Sequence, residues 1–518
     1  MDAGQLIEHV AQKDHGGPTT MSRINTNVNS LISQRILSQQ NGSLNTSLER
    51  LSTGLAINRG KDNPAGLIAS ENLRSEKAAI SAAISNTERA DQVMNIAEGG
   101  LQEINALLLE VQGLVGTSAN DAGLSIEEKE ANQLQVDSIL QTIDRIAEAT
   151  SFEGVKLLNG TFDFTISAQV TEVNSFKINA AKLSHNETRD VEVVVTASAQ
   201  HAGLFLSTNG ALDLTAATDT FTFEIAGSKG SREFSFASGT TLASIAEAIN
   251  TFKQTTGVSA STSGNGVVVK SIEYGSNEFV SFDIVSQGGQ AGAVVLLSAG
   301  NENDLSSTST TFANVNNPIR DEGQDVGAII NGIAATSEGR TARIATDFLD
   351  MEIELDAATG SNSLQTISAF TITGGGAKFN LGPQVNITNQ ASIGIQNVAS
   401  RKLGDGNVGF LNDLGSGNAA NLVDGDLEVA QKIVNLAISS VSNLRGRIGA
   451  FQSNVIGATS RNLGVALENT SAAESSIRDT DFAAETAELT RSQILVNAST
   501  NVLGIANQQP NSVLSLLG

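Results

Sequence analysis

Side chains that could do covalent, acid–base or metal chemistry are few in this chain and badly spaced for it. Histidine occurs four times, at His9, His15, His185 and His201, and none stands in the His-Glu-x-x-His spacing that puts two imidazoles on one zinc ion. There is no cysteine, so disulfides and thiolate-bound metals are excluded. No Gly-x-x-x-x-Gly-Lys-Ser/Thr loop occurs. Gly374-Gly375-Gly376 precedes a strand-like run rather than a helix whose N-terminus could cradle a phosphate. His9 and His15 stand alone in a polar tail, and nothing in the sequence favours a Ser-His-Asp arrangement. Carboxylates are plentiful, as solvated side chains usually are. The expectation is no catalytic, metal-binding or cofactor-binding residue, no cofactor and no enzymatic activity.

What the chain does carry in a pattern is apolar surface. From Asp481 to Gly518, Phe482, Leu489, Val496 and Leu503 recur every seven residues, with Leu495, Ala498, Val502 and Ile505 beside them at steps of three and four. No charged residue follows Arg491. A solvated helix would carry Lys and Glu on its outer face. A membrane-spanning one would not carry Gln493, Asn497, Ser499, Thr500, Asn501, Asn507 and Gln508. That leaves a helix buried by other protein, with no charge to desolvate. Alone it would fray, so order is expected only against partner helices.

A second element of the same character lies at the other end. Ile24, Val28, Leu31 and Ile32, then Leu44, Leu48, Leu51 and Leu55, mark an amphipathic helix without charge between Arg35 and Glu49. The two ends are expected to pair, antiparallel or nearly so, like a coiled coil. Asn58–Gly66 is a breaker cluster. Beyond it, Ala97, Leu101, Ile104, Leu108, Val111 and Val115 alternate steps of four and three. Gly116–Gly123 reads as a turn, with Ser125 as N-cap and Glu128 three residues on. Val136, Ile139, Ile143 and Ile146 mark a third helix, and Ala437, Val441, Leu444, Ile448, Phe451 and Val455 mark the matching element near the other end. A four-helix bundle is expected, closed by the second half of the chain, with the middle inserted between its halves.

The middle, from about Phe152 to Leu414, is rich in Gly, Ser, Thr, Val and Phe. Phe221–Ile225 and Phe234–Phe236 alternate around Gly227–Gly230, a hairpin. Leu242–Phe252 reads as a short helix with Ile245 and Ile249 inward, Val267–Val269 and Phe279–Phe282 as strands, and Val385–Ile395 as a further alternating segment. Ser306–Thr311 reads as an exposed loop. A formal net charge of −24 argues against nucleic acid as a partner, and no apolar run reaches membrane-spanning length. Met1–Thr20 holds Glu8, Lys13 and Asp14 without an apolar core, so no cleavable secretory signal is read there. It is taken as an extension, with Met21 the working start.

Leu48-Glu-Arg-Leu-Ser-Thr-Gly-Leu-Ala-Ile-Asn58 with Lys61-Asp-Asn-Pro-Ala-Gly66 resembles the N-terminal signature of bacterial flagellins, and Met21-Ser-Arg-Ile-Asn-Thr-Asn27 resembles their start. Ser476-Ile-Arg-Asp-Thr-Asp-Phe-Ala-Ala-Glu485, Arg491-Ser-Gln-Ile-Leu495 and Ala506-Asn-Gln-Gln-Pro-Asn-Ser-Val-Leu-Ser-Leu-Leu517 are similar to their C-terminal signature. Leu242–Phe282 resembles the insertion module of flagellins and hook proteins, and Ile330-Asn-Gly-Ile333 reads as the opening of a weaker second copy.

The resemblance implies a secreted, extracellular subunit of the flagellum filament: a homopolymer used for motility, exported unfolded by the type III export apparatus. Its implied partners are an export chaperone on the C-terminal helical region (about 479–518) and the hook-associated and cap proteins. A hook–filament junction protein and a filament-displayed adhesin are the rival readings. The fold expected is α+β and multidomain: long paired terminal helices and a helical bundle, with β-rich variable domains inserted. The divisions expected are 1–20, 21–65, 66–160, 161–403 (insertion module about 218–285), 404–475 and 476–518. Assembly contacts are assigned to Leu44, Leu48, Leu51, Leu55, Leu489, Val496, Val502 and Leu503. In many flagellins a Toll-like innate immune receptor recognises a segment Leu-Gln-Arg-Val-Arg-Glu-Leu. Here the matching stretch runs Leu108 to Leu114 with Glu110 and Gln112 in place of the two arginines, which implies weakened recognition.

Overall fold

The computed structural model describes residues 26–514 apart from 121, 185, 217, 299–300 and 358–364. The expected extension 1–20, the start at Met21, His9, His15, His185 and the last four residues lie outside that set. The chain divides into two units: one of the residues up to Ser81 with those from Gly464 on, the other Ala82–Leu463.

Eight helices are named here: α1 (Val28–Thr53), α2 (Pro64–Ser118), α3 (Ile126–Ala149), α4 (Leu242–Thr251), α5 (Lys253–Thr256), α6 (Leu427–Ala450), α7 (Gly457–Arg478) and α8 (Phe482–Leu514). Local chemistry explains their ends. Gly54 closes α1 at φ 75°, a left-handed conformation that glycine adopts without a Cβ penalty. Pro64 opens α2 at the first position, where its missing N–H has no partner to lose. Ser125 and Glu128 form the reciprocal capping box of α3 as expected. The turn expected over Gly116–Gly123 starts late, because α2 runs on to Ser118. Val111, Val115 and Ser118 are fully buried along that turn of helix, and this packing outweighs the weak helix propensity of Gly113 and Gly116.

In the second unit the apolar stripes of α2, α3 and α6 meet in one core: Leu101, Ile104, Leu108, Val136, Ile143, Ala437, Val441, Leu444 and Ile448 are all buried. Here the expected four-helix bundle is corrected. Three helices share this core, and the fourth side is irregular chain. Ile393, Ile395, Val398, Leu403, Leu411, Leu414 and Leu422 supply the side chains a fourth helix would have brought. The expected boundary between 403 and 404 therefore falls inside the bundle. Polar ties fix this irregular wall: Gln133 donates to the Leu414 carbonyl and accepts from the Leu422 N–H, and Asp144 accepts from Ser400 N and Oγ.

Two β-rich cores are nested inside the bundle sequence. The outer one joins two antiparallel sheets. The first has its strands in the spatial order Ile333–Ala334, Gly327–Ile330, Arg189–Ala197, Thr366–Gly375 and Phe164–Ile166. The second runs Thr336–Glu338, Thr341–Ala345, Leu349–Leu355 and Val173–Ala181. Val191, Val193, Ile178, Met351 and Ile353 fill the space between them. Ile330–Ile333, read as a second module opening, is here the tight turn of a hairpin, with Asn331 at φ 49° and Gly332 at φ 80°. The inner core, between residues 202 and 319, packs Phe221, Phe223, Phe234, Phe282 and Phe312 against Ile245 and Ile249 of α4. The hairpin of Thr220–Gly227 with Gly230–Ala237 forms as its alternation dictates.

Two local expectations fail. Ser306–Thr311 is not a loop: Asn301–Thr311 is an edge strand paired with Ala293–Ser298. β-Branched Thr suits a strand, and an edge leaves one side to water. The alternation over Val385–Ile395 yields only Gln390–Ile393 as strand, since Val385 is 86% exposed and Ile387–Asn389 is a 3-10 turn capped by Asn386.

The bundle core should hold without help from other chains. Leu101→Ala is expected to destabilise the free subunit by about 2–5 kcal/mol, read as a lowered urea midpoint of the helical signal. An unchanged midpoint would contradict the packing described.

Candidate assembly interface

The first unit is built on α1 and α8. Asn27 Nδ2 donates to the Ala506 carbonyl (2.7 Å), Ser30 Oγ to Asn507 Oδ1 (2.6 Å) and Arg50 reaches Glu485 at 3.5 Å, so the two helices run antiparallel. Their contact is narrow. On α1 a stripe of buried or half-buried positions runs Ser30, Ser33, Leu37, Gln40, Leu44, Ser47 and Leu51, with Thr46, Glu49 and Arg50 half-buried beside its end; on α8 the stripe runs Glu485, Leu489, Ser492, Val496, Ser499, Leu503, Ala506 and Pro510. Both stripes alternate steps of three and four, the spacing of a two-helix seam. Serine recurs on both sides of it. A small side chain lets the backbones approach, and its hydroxyl can be satisfied locally, as Ser33 Oγ is by the Asn29 carbonyl at 2.9 Å.

The consequence is that most of the large aliphatics point elsewhere. Leu31 is 58% exposed, Ile494 62%, Val502 52% and Ile505 71%; Val28, Ile32, Ile36, Leu48 and Leu495 are exposed as well. Arg35 is the one charged side chain between Val28 and Leu48, and α8 has none after Arg491. The outer surface of the pair is therefore nearly uncharged between Val28 and Leu48 and beyond Arg491, and studded with aliphatic groups, the composition of an interface core.

Below the helix pair, two connecting segments are tied together. Ala56 N donates to the Arg478 carbonyl (2.7 Å) and Thr480 N to the Gly54 carbonyl (2.9 Å), making Leu55 and Asp479 a one-residue antiparallel bridge. Arg478 and Lys77 reach Glu71 and Glu474 at 3.3 and 3.1 Å. Asp481 caps α8 by accepting from Ala483 N and Ala484 N, so the break before the terminal helix lies at 479–481 rather than at 475/476. In the turn before α2, the Arg59 N–H beside Asp62 holds its carboxyl below the usual range, against a desolvation cost and with further help from the Asn58 N–H.

Of the eight residues assigned to assembly, Leu44, Leu51, Leu489, Val496 and Leu503 lie in the seam between α1 and α8 of one chain. Leu48 and Val502 face outward, and Leu55 sits in the bridge. Ile494 and Ile505 are not among the residues assigned to assembly, although both are more exposed than Val502. The signal that would have found them is the serine heptad, which identifies the inner face and hence the outer one. In the receptor-like segment Leu108 is buried in the bundle, Leu114 is half-buried, Glu110 is exposed and Gln112 Nε2 donates to Asn435 Oδ1 at 2.8 Å. The single described histidine, His201, lies against Tyr274 with ring centroids 3.7 Å apart. Among the described residues no group of His, Cys, Asp or Glu is placed to hold a metal ion, and no helix is long and apolar enough to cross a membrane.

Comparison with known proteins bears on these helices directly. The family model for the bacterial flagellin N-terminal helical region matches residues 24–163, that for the C-terminal helical region matches 431–517, and the flagellin hook IN motif matches 220–272. Flagellin D of Vibrio anguillarum is 28% identical over 495 residues, covering 96% of this chain and 99% of the relative. A flagellin of Salmonella typhimurium is 29% identical over 526 residues, covering 95% and 99%. The solved structure of FliC from Burkholderia pseudomallei is 14% identical, covers 70% of this chain and 99% of that one, and has a TM-score of 0.22. Terminal helical regions matched at both ends, the insertion motif between them and relatives aligned over nearly the full length lead to one conclusion: the chain belongs to the bacterial flagellin family and is a structural subunit of the flagellar filament.

Proposed function

We propose that polymerisation proceeds by burial of the outer face of the α1–α8 pair against the same pair in neighbouring copies. The observation that carries this is the exposure of Leu31, Ile494, Val502 and Ile505 on a surface almost without charge. Burying each such side chain contributes about 1.5–3 kcal/mol, and a neutral rim avoids the desolvation of buried ions. A filament needs head-to-tail contacts between different patches of the subunit. Leu48, Val502, Ile494 and Ile505 supply contacts between copies, while Leu44, Leu51, Leu489, Val496 and Leu503 hold each pair together and Leu55 anchors its base.

The role is structural and not catalytic. The same apolar, neutral α8 suits a chaperone that shields about 479–518 before export, passage in an unfolded state through the type III apparatus, and later contact with hook-associated and cap proteins. The site of action is the extracellular filament. In this reading 21–65 and 476–518, adjusted to the helix ends described above, are filament-core segments, and the expected surface segment 161–403 is shortened to end with the strand Thr366–Gly375, since the chain beyond it packs into the bundle. Replacement of two cations by Glu110 and Gln112 removes charge-assisted hydrogen bonds from the receptor-like segment.

Three outcomes test this reading. Ile505→Asp is expected to leave free-subunit stability within about 0.5 kcal/mol while abolishing elongation from filament seeds seen by negative-stain microscopy. Val496→Asp, in the seam, should leave the β-rich domains folded and also prevent filaments; normal filaments from either variant would contradict the interface. In a reporter-cell assay of the Toll-like receptor, the subunit should give a weak response or none, and a full response at sub-nanomolar dose would contradict the reading of Glu110 and Gln112.

A further inference from the structure

Between α6 and α7 the helix does not stay α. Phe451–Ile456 is a π-helical turn, and the Gly457 N–H reaches back five residues to the Gln452 carbonyl. The apolar pattern shows why. Ala437, Val441, Leu444, Ile448 and Phe451 step by four and three along the bundle core, and an α-helix would next place Val455 inward. The structure instead buries Ile456, five residues after Phe451, and leaves Val455 half-buried. One extra residue is thus stored in this turn.

Four further features surround it. Val455 and Ile456 are adjacent β-branched aliphatics differing by one methylene, so either can fill the same core position. A cleft of about 450 Å³ lies beside Val455 and not Ile456, lined by Phe451, Val455, Thr459 and Leu463 on the helical side and by Leu381 and Asn389 opposite. Its open side leaves the Val455 side chain unconfined there and free to move toward the core. A single polar tether holds the observed arrangement: Gln452 Nε2 donates to Asp91 Oδ1 at 3.1 Å and to Asn95 Oδ1 at 2.8 Å on α2. Gly457 follows immediately, where a Cβ would stand 3.2 Å from the Gln452 carbonyl oxygen.

We propose that Phe451–Ile456 is a two-register joint. The stored residue lies either before the core position, with Ile456 inside, or after it, with Val455 drawn from the cleft wall into the core and Ile456 turned out of the core on the flank away from the cleft. Exchange between the registers remodels the cleft wall without unfolding the bundle, because the rest of the α6 stripe stays in place. The joint is a property of the free subunit and does not rest on the assembly reading.

The chain has no cysteine, so thiol alkylation can follow one position in the full-length free subunit. Ile456→Cys is expected to react with iodoacetamide at least tenfold faster than Ile143→Cys, which lies in the same core and reports global opening. Deleting Ser453 from the Ile456→Cys chain removes the stored residue and keeps position 456 inward, and should slow its alkylation at least tenfold. Gln452→Ala in the same background frees the tether and should raise the rate at least threefold. Alkylation of Ile456→Cys no faster than Ile143→Cys, or insensitive to the loss of Ser453, overturns the joint. Should the deletion fail to fold, an unchanged rate in the Gln452→Ala chain overturns it alone.

Discussion

A narrow seam governs the behaviour of this subunit. Where α1 and α8 touch, half the contact positions are Ser, Gln or Ala, and the large aliphatics are turned outward. Fixing the backbone of each residue costs about 1–2 kcal/mol, and a seam of Ser30, Ser33, Gln40, Ser47, Ser492 and Ser499 returns little hydrophobic free energy against it. In the proposed assembly the deficit is met by surface that one chain cannot cover for itself. Scarcity of charge on that surface is the complementary condition, since an ionised group buried between copies would cost several kcal/mol unless paired.

The remainder of the molecule is built on the opposite principle. The bundle buries Leu101, Ile104, Leu108, Ile143, Val441 and Ile448 completely, and each β-rich core does the same with its own aromatic or aliphatic set. These cores are complete within one chain. Because the β-rich segments are nested inside the bundle sequence, the chain leaves and returns through each core, and the terminal helices come together at its two ends. On the proposed assembly, neighbours complete the termini without disturbing these cores.

Much of this was legible in the residues because it rests on periodicity. The stripes from Ala97 to Val115 and from Ala437 to Phe451, the Ser125–Glu128 box and the Phe221–Phe236 hairpin follow from spacing alone. What escaped rests on context. Serine at seam positions looks polar in a sequence and is buried in the fold, so Leu48 and Leu44 read as one stripe although they face different ways. The irregular wall from Ile393 to Leu422 has no period to betray it. Ser306–Thr311 carries loop composition in an edge strand, and the step from Phe451 to Ile456 breaks the heptad by one residue. In each case a long-range contact overrides the local signal.

Amide hydrogen exchange on α1 and α8, compared between the free subunit and the filament, tests the central claim most directly. The account requires these amides to exchange far faster in the free subunit than those of the bundle helices α2, α3 and α6, and to become protected to the bundle's level on polymerisation. Terminal helices as protected as the bundle before assembly would contradict it.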